Sequence, residues 1–194
     1  LGKFEGFGKY YYKNGRYYEG NWVKGQKSGK GRFTWPDGGS YDGYWANDLY
    51  EGQGKRIFKD SSVYEGNWVA DKQEGKGRYV YNNGDIYEGE FKAGKRHGMG
   101  KYITKKDGEI YEGMYVEGQP EGKGKLVLGN KDSYEGDFVK GLANGYGVAV
   151  YVSGNRYEGE WKEGKWEGKG KATYKDGAIY EGQWVNGKHE GTGK

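Results

Sequence analysis

The chain has no cysteine, only two histidines and two methionines, and only 33% of its 194 residues are hydrophobic. Without cysteine there are no disulfides and no thiolate-held metals, a composition compatible with a reducing compartment. No apolar run approaches the ~18 to 20 residues of a membrane-spanning helix, and no signal-peptide pattern opens the sequence. An excess of one charge is lacking as well. The 32 basic and 28 acidic residues leave a net charge of +4, too small for a whole-molecule nucleic-acid footprint. Catalytic material is thin: His97 and His189 lie far apart, serines are few, and no catalytic constellation stands out.

Rings and glycine are abundant. A mean hydropathy of −1.16 ordinarily leans towards disorder. Against that stand 18% aromatic residues and 41 glycines, the glycines at fixed phase. Few aliphatic residues with many rings fit a thin structure that buries rings rather than a thick closed core.

The phrase Tyr64-Glu65-Gly66-Asn67-Trp68 recurs with small changes at Tyr18, Tyr41, Tyr87, Tyr111, Tyr134, Tyr157 and Tyr180. Successive tyrosines are 23 residues apart, with one step of 24 between Tyr87 and Tyr111. Such a period marks a repeat array. Numbered from its tyrosine, each repeat has glycine at position 3, an aromatic residue at 5 and Gly-x-Gly at 12 to 14. Most add Asp/Asn-Gly at 20 and 21. The key spacings are two, the period of a strand with distinct faces. Tyr64, Gly66 and Trp68 are thus expected on one face, and Gly75, Gly77, Tyr79 and Tyr81 on one face of the next strand.

Asn83-Gly84 between the halves reads as a hairpin turn with positive φ at both residues. Asn14-Gly15, Asp37-Gly38, Asp107-Gly108 and Asp176-Gly177 repeat it, whereas Asp60-Ser61 and Asn130-Lys131 predict looser turns. The extra residue of the 24-step falls in Thr104–Gly108, where a hairpin tolerates insertion. Glycine within strands normally weakens them. Here it is read as floor space, on which a neighbouring Tyr or Trp lies flat with its polar end in water.

These motifs, Tyr-Glu-Gly-x-Trp, then Gly-x-x-x-Gly-x-Gly, then Asp/Asn-Gly, resemble the MORN (membrane occupation and recognition nexus) repeat across essentially the whole chain. Departures are Asp42 for Glu, Phe91, Tyr115 and Phe138 for Trp, and Asp48 and Asp71 where a loop glycine is expected. The resemblance implies an all-β, elongated and twisted single-layer antiparallel meander with one hairpin per repeat. About seventeen strands at ~4.8 Å give a rod on the order of 80 Å long. The reading is one continuous array over residues 1–194, about eight and a half repeats, cut at both ends from a longer cytoskeleton-associated array. Open strand edges at the ends point to a homodimer.

Three groups of residues are candidates for function. Trp22, Trp45, Trp68, Phe91, Tyr115, Phe138, Trp161 and Trp184, with Tyr18, Tyr41, Tyr64, Tyr87, Tyr111, Tyr134, Tyr157 and Tyr180, form an aromatic row. It reads either as core alone or as core plus a groove for other proteins. Lys92, Lys95, Arg96, Lys101, Lys105 and Lys106 form the most basic stretch, suited to phosphate or phosphoinositide head groups or else a solvated loop pair. The position-2 glutamates Glu19, Glu65, Glu88, Glu112, Glu135, Glu158 and Glu181 read as partners of Lys and Arg on adjacent strands rather than as an acid–base array. His97 and His189, expected in equivalent loops, suggest no metal site without cysteine, and no cofactor is expected.

By resemblance the function is a non-catalytic scaffold that self-associates and organises cytoskeletal or membrane-associated assemblies in the cytoplasm. The alternative is a phospholipid-binding membrane-targeting module. An enzyme whose catalytic domain lies outside this stretch has nothing here in its favour. A choline- or glycan-binding hairpin solenoid would pair its aromatics as Trp-Tyr-Tyr after the glycine, which this chain does not.

Overall fold

The computed structural model describes residues 2–191 and 193, and among them every regular element is a strand. Contacts divide the chain into two units at Arg96/His97. The first holds β1 (Gly6–Tyr11), β2 (Tyr17–Val23), β3 (Gln26–Thr34), β4 (Ser40–Ala46), β5 (Leu49–Ile57), β6 (Val63–Val69), β7 (Lys72–Val80) and β8 (Ile86–Lys92). Each pairs antiparallel with the next. The boundary falls inside β9 (Lys95–Ile103), and the second unit runs from His97 of that strand through β10 (Ile110–Val116), β11 (Gln119–Val127), β12 (Ser133–Val139), β13 (Leu142–Val150), β14 (Arg156–Lys162), β15 (Lys165–Thr173) and β16 (Ile179–Val185) to β17 (Lys188–Glu190). It is the same meander, again with each strand bonded to its successor. Both units are single-layer antiparallel sheets of consecutive hairpins.

In each unit the core is a row of rings on one face. Along β6, burial alternates so that Tyr64, Gly66 and Trp68 are inside and Glu65 is exposed. Gly66 pairs with Gly77 of β7, and the Tyr64 ring lies across both. A Cβ on Gly66 would sit 2.5 Å from Tyr64 Oη and 2.6 Å from Gly77 Cα, and one on Gly77 would collide with the same hydroxyl. The phenol O–H donates to the Asn67 carbonyl at 3.0 Å. The polar end of the ring is therefore bonded to backbone, not held in water as the sequence suggests. The indole behaves likewise: Trp68 Nε1 donates to the Gly54 carbonyl at 3.1 Å. Buried donors need such partners, and the backbone supplies them. Edge-to-face contacts join the row, with Tyr64 4.9 Å from Trp68 and 5.0 Å from Phe91, at 86° and 84°.

The two glycines of Gly-x-Gly differ in role. Gly77 is floor, but Gly75 has φ +62 and nothing within 4 Å of a built Cβ. It lies in a bulge: between the pairs Gly66↔Gly77 and Trp68↔Gln73, the single residue Asn67 faces Glu74, Gly75 and Lys76. Gly75 is present for its left-handed backbone, not for the ring.

The turns differ from the sequence expectation. At Asn83-Gly84 only Gly84 has positive φ. Gly84 N–H donates to Tyr81 O and Tyr81 N–H to Asp85 O, both at 2.9 Å, a three-residue loop ending in a left-handed residue. Doubly positive φ belongs to the two-residue loops at the other end, such as Lys24-Gly25 at φ 50 and 83. Nor are the turns at Asp60-Ser61 and Asn130-Lys131 looser. Ser61 and Lys131 take the left-handed conformation, at φ 69 and 75, with the same backbone bonds at 2.8 to 2.9 Å. Asp60 Oδ1 accepts from Ser62 N–H at 3.0 Å and Asn130 Oδ1 from Asp132 N–H at 2.9 Å, which holds the turn without glycine. At the 24-step, Thr104 N–H reaches Glu109 O at 2.9 Å across a loop one residue longer.

Position-11 glutamates join one hairpin to the next. Glu5, Glu51, Glu74, Glu121 and Glu167 accept the N–H of Lys24, Ala70, Ala93, Lys140 and Asn186 at 2.9 to 3.1 Å. Asp48 and Asp71, which replace the loop glycine, bond backward to the N–H of Lys27 and Tyr50 at 2.9 and 2.7 Å.

The two glycine roles separate by mutation. Gly77→Ala forces the Tyr64 ring off its floor and is expected to cost about 3 kcal/mol or more. Gly75→Ala meets only left-handed strain, roughly 1 to 2 kcal/mol. Urea unfolding followed by far-UV circular dichroism checks the order.

Candidate partner-binding faces

The aromatic row is spent on the core. Tyr18, Tyr41, Tyr64, Tyr87 and Tyr157 are fully buried, and Trp22, Trp45, Trp68, Phe91, Tyr115, Phe138, Trp161 and Trp184 are also buried. Tyr180, next to β17, is less enclosed. Every position-1 phenol donates to the carbonyl three residues on, at 2.9 to 3.3 Å.

Over these rings lies position 10, whose residue differs in every repeat: Lys27, Tyr50, Gln73, Arg96, Pro120, Ala143, Trp166 and His189. Tyr50 stacks on Tyr41 at 3.8 Å, Trp166 on Tyr157 at 4.2 Å and His189 on Tyr180 at 3.9 Å. Lys27 Nζ sits 5.9 Å from the Tyr18 ring centre, and Arg96 Cζ 5.8 Å from that of Tyr87. Under the small covers Pro120 and Ala143, Tyr111 and Tyr134 keep 6% and 7% exposure, against none in the five fully buried tyrosines. In the first unit a depression of about 370 Å³ on this face is lined by Tyr50, Arg56, Phe58, Trp68 and Gln73. The sequence signal for position 10 is variation instead of recurrence: it changes at every repeat above a ring that does not.

The opposite face carries the position-2 acids. Cross-strand ion pairs join Lys9–Glu19, Lys55–Glu65, Arg78–Glu88, Lys101–Glu112, Lys125–Glu135 and Lys171–Glu181 at 2.7 to 3.9 Å. Open to solvent and screened by salt, these pairs contribute little to stability. Glu158 departs from the pattern, bonding Arg156 on its own strand at 2.6 Å and the Tyr146 hydroxyl at 2.9 Å.

The basic stretch is distributed over two strands and a turn. Lys92 ends β8, Lys95 and Arg96 open β9, Lys101 lies within it, and Lys105 and Lys106 occupy the following turn. Arg96 lies against the Tyr87 ring and Lys101 pairs with Glu112 at 3.6 Å. His97 and His189 are on strands β9 and β17, not in loops as expected. Among the described residues no group of three or more histidine and carboxylate side chains is set to hold a metal.

Burial pushes the phenols of Tyr18, Tyr87, Tyr111, Tyr134 and Tyr157 up to about 12, and those of Tyr41 and Tyr64 further still. The cause is the cost of a phenolate away from water.

A family model described as MORN repeat matches residues 1–15, 18–40, 41–63, 64–86, 87–108, 111–133, 134–156, 157–179 and 180–194. No curated protein matches the chain in sequence. Among solved structures, the TCP10 domain of Danio rerio CPAP is similar at 12% identity, over 90% of this chain and 82% of that one, with a TM-score of 0.50. The TCP10c domain of Drosophila melanogaster Sas-4 matches at 10% identity over 79% and 91%, TM-score 0.45. A Drosophila melanogaster SAS-4 (dCPAP) TCP domain, in complex with a proline-rich motif of Ana2 (dSTIL), matches at 17% identity over 79% and 77%, TM-score 0.40. At 12% identity, the Danio rerio match is a likeness of fold.

The raised phenols fix the sign of an alkaline transition. Because the folded state favours the neutral form, this contribution to stability is complete below the unfolded value near 10 and is lost as pH rises through about 12. The urea midpoint is expected to hold steady between about pH 7 and 9 and to fall above about 10. The phenolate absorbance of the buried tyrosines should appear only as circular dichroism is lost.

Proposed function

Since the chain belongs to the MORN repeat family, we propose that it is a non-catalytic scaffold that presents its aromatic face to other proteins. The observation that carries this is the contrast between floor and cover. The tyrosine recurs in eight repeats, whereas position 10 above it changes every time. Packing requires only the ring, so the cover is free to select what docks. Flat side chains, such as Trp166 and Tyr50, are residues that anchor protein partners. The depression beside Gln73 offers a seat for one such contact.

Self-association through the terminal strands, and a place in cytoskeletal or membrane-associated assemblies of the cytoplasm, belong to the same reading. The competing reading, phosphoinositide binding at Lys92, Lys95, Arg96, Lys101, Lys105 and Lys106, draws support from their charge alone.

Proximity labelling with the parent protein compares wild type with a Tyr50→Ala/Gln73→Ala/Trp166→Ala variant whose circular dichroism is native. The scaffold reading expects recovery of its main protein neighbours to fall at least fivefold, and an unchanged neighbour set overturns it. Light scattering is expected to report a dimer, and a monomer removes the self-association. Flotation with phosphoinositide vesicles that is lost in Lys95→Ala/Arg96→Ala/Lys101→Ala would favour the lipid reading instead.

A further inference from the structure

Position 16 lies on the ring face, between the tyrosines of two adjacent strands. It is aromatic or aliphatic in seven strands, from Tyr10 of β1 to Ala172 of β15, but it is Arg56 in β5. Backbone pairing sets Arg56 opposite Tyr41 of β4 and Tyr64 of β6. A guanidinium therefore stands among rings. Its Cζ is 3.6 Å from the centre of the Trp35 ring and 5.4 Å from that of Phe58.

This arginine lacks an acceptor. Nη1 is sealed from water and bonds nothing, and among the described residues no group accepts a hydrogen bond from the fork or forms an ion pair with it. Asp37 acts on it only through space, and Asp37 Oδ1 is taken by Gly39 N–H at 3.0 Å. A buried donor without a partner weakens a core, and the tyrosine or leucine of other strands would pack here without that cost. A local rule broken with no compensation inside the chain marks a place for a ligand.

Arg56 also lines the depression of about 370 Å³ on this face, whose walls include Tyr50, Phe58, Trp68, Asp71 and Lys72. The charges around it do not cancel. Asp71 Oδ1 accepts the Tyr50 N–H at 2.7 Å, whereas among the described residues neither Arg56 nor Lys72 is ion-paired. Two unpaired cations thus share the hollow with one carboxylate that is already hydrogen-bonded. The whole site lies within the first unit.

We infer that this depression seats a glutamate or aspartate side chain on a segment of a partner protein, with the fork of Arg56 as its receptor. An apolar residue next to that acid packs on Tyr50, Phe58 and Trp68. The inference rests on the aromatic-face reading above and states which partner chemistry fits at this point of the face. Two guanidinium N–H groups match the two oxygens of a carboxylate. Trp35 stacks on the guanidinium and holds it flat, and Lys72 adds attraction. A basic segment is repelled. A phosphate, nearly doubly charged, calls for a cluster of cations, whereas one guanidinium and one lysine beside Asp71 suit a single charge.

The test is fluorescence anisotropy of the full chain with a labelled peptide carrying Leu-Glu-Phe-Glu-Leu between Gly-Ser flanks, beside its glutamine and phosphoserine counterparts. The glutamate peptide should bind at least tenfold more tightly than the glutamine peptide. Arg56→Tyr, which installs the residue type that β7 carries at this position and so keeps the fold, should abolish that preference. Arg78→Ala, a charge change on the opposite face, should leave it intact. Absence of binding, equal binding of the glutamine peptide, tighter binding of the phosphoserine peptide or a preference undiminished in Arg56→Tyr overturns the proposal. So does self-association of wild type that Arg56→Tyr abolishes, since the occupant is then a second copy. If Tyr50→Ala loses the glutamate and glutamine peptides alike while Arg56→Tyr loses neither, the acid seat fails and the aromatic face still docks protein.

Discussion

A phenol ring lying across two facing glycines is the contact on which each repeat depends. A one-layer sheet has no second layer to bury its apolar face, so the rings must cover themselves. They do so by lying down, which needs bare backbone on two adjacent strands, and Gly66 and Gly77 supply it under Tyr64. Burying a ring of this size is worth roughly 1.5 to 3 kcal/mol. Each edge-to-face neighbour adds about 0.5 to 1.5 kcal/mol. The phenol O–H and indole N–H remain satisfied because backbone carbonyls meet them. The bulge at Gly75 follows from the same constraint: Asn67, whose carbonyl takes the phenol, is opposed by extra backbone on β7.

This economy determines where function can reside. Rings at positions 1 and 5 and glycines at 3 and 14 are fixed by packing. What varies is the cover at position 10 on one face and the charged rungs on the other. The cover ranges from Ala143 to Trp166 without loss of the floor beneath it. The ladder contributes little to stability, so a rung can be lost, as at Val148, with little cost to the fold. Variation of this kind is cheap for the fold and informative to a partner.

Much of the fold was legible in the sequence because it rests on spacing. The period of 23 located the hairpins, and alternation of two separated rings from charges. The ion partners of Glu65 and Glu88 also followed from alternation. What spacing could not reveal was backbone conformation. Gly75 and Gly77 look alike in a string of letters, yet one serves a bulge and the other a ring. Asn-Gly suggested a doubly left-handed turn, whereas the three-residue loop needs only Gly84 to be left-handed. Ser61 and Lys131 keep tight turns because an Asx bond, not glycine, holds them. The site was less legible than the fold. Recurrence in the letters points to the aromatic row, whereas the cover residues, such as Tyr50 and Trp166, follow no repeat and become visible only where they stack on Tyr41 and Tyr157.

The ring-on-glycine contact is tested most directly by a double-mutant cycle at Tyr64 and Gly77, read by equilibrium urea unfolding. If the Gly77→Ala penalty arises from the ring, it should largely vanish once Tyr64→Ala has removed that ring, leaving a coupling of about 3 kcal/mol. Additive effects of the two substitutions would contradict the account.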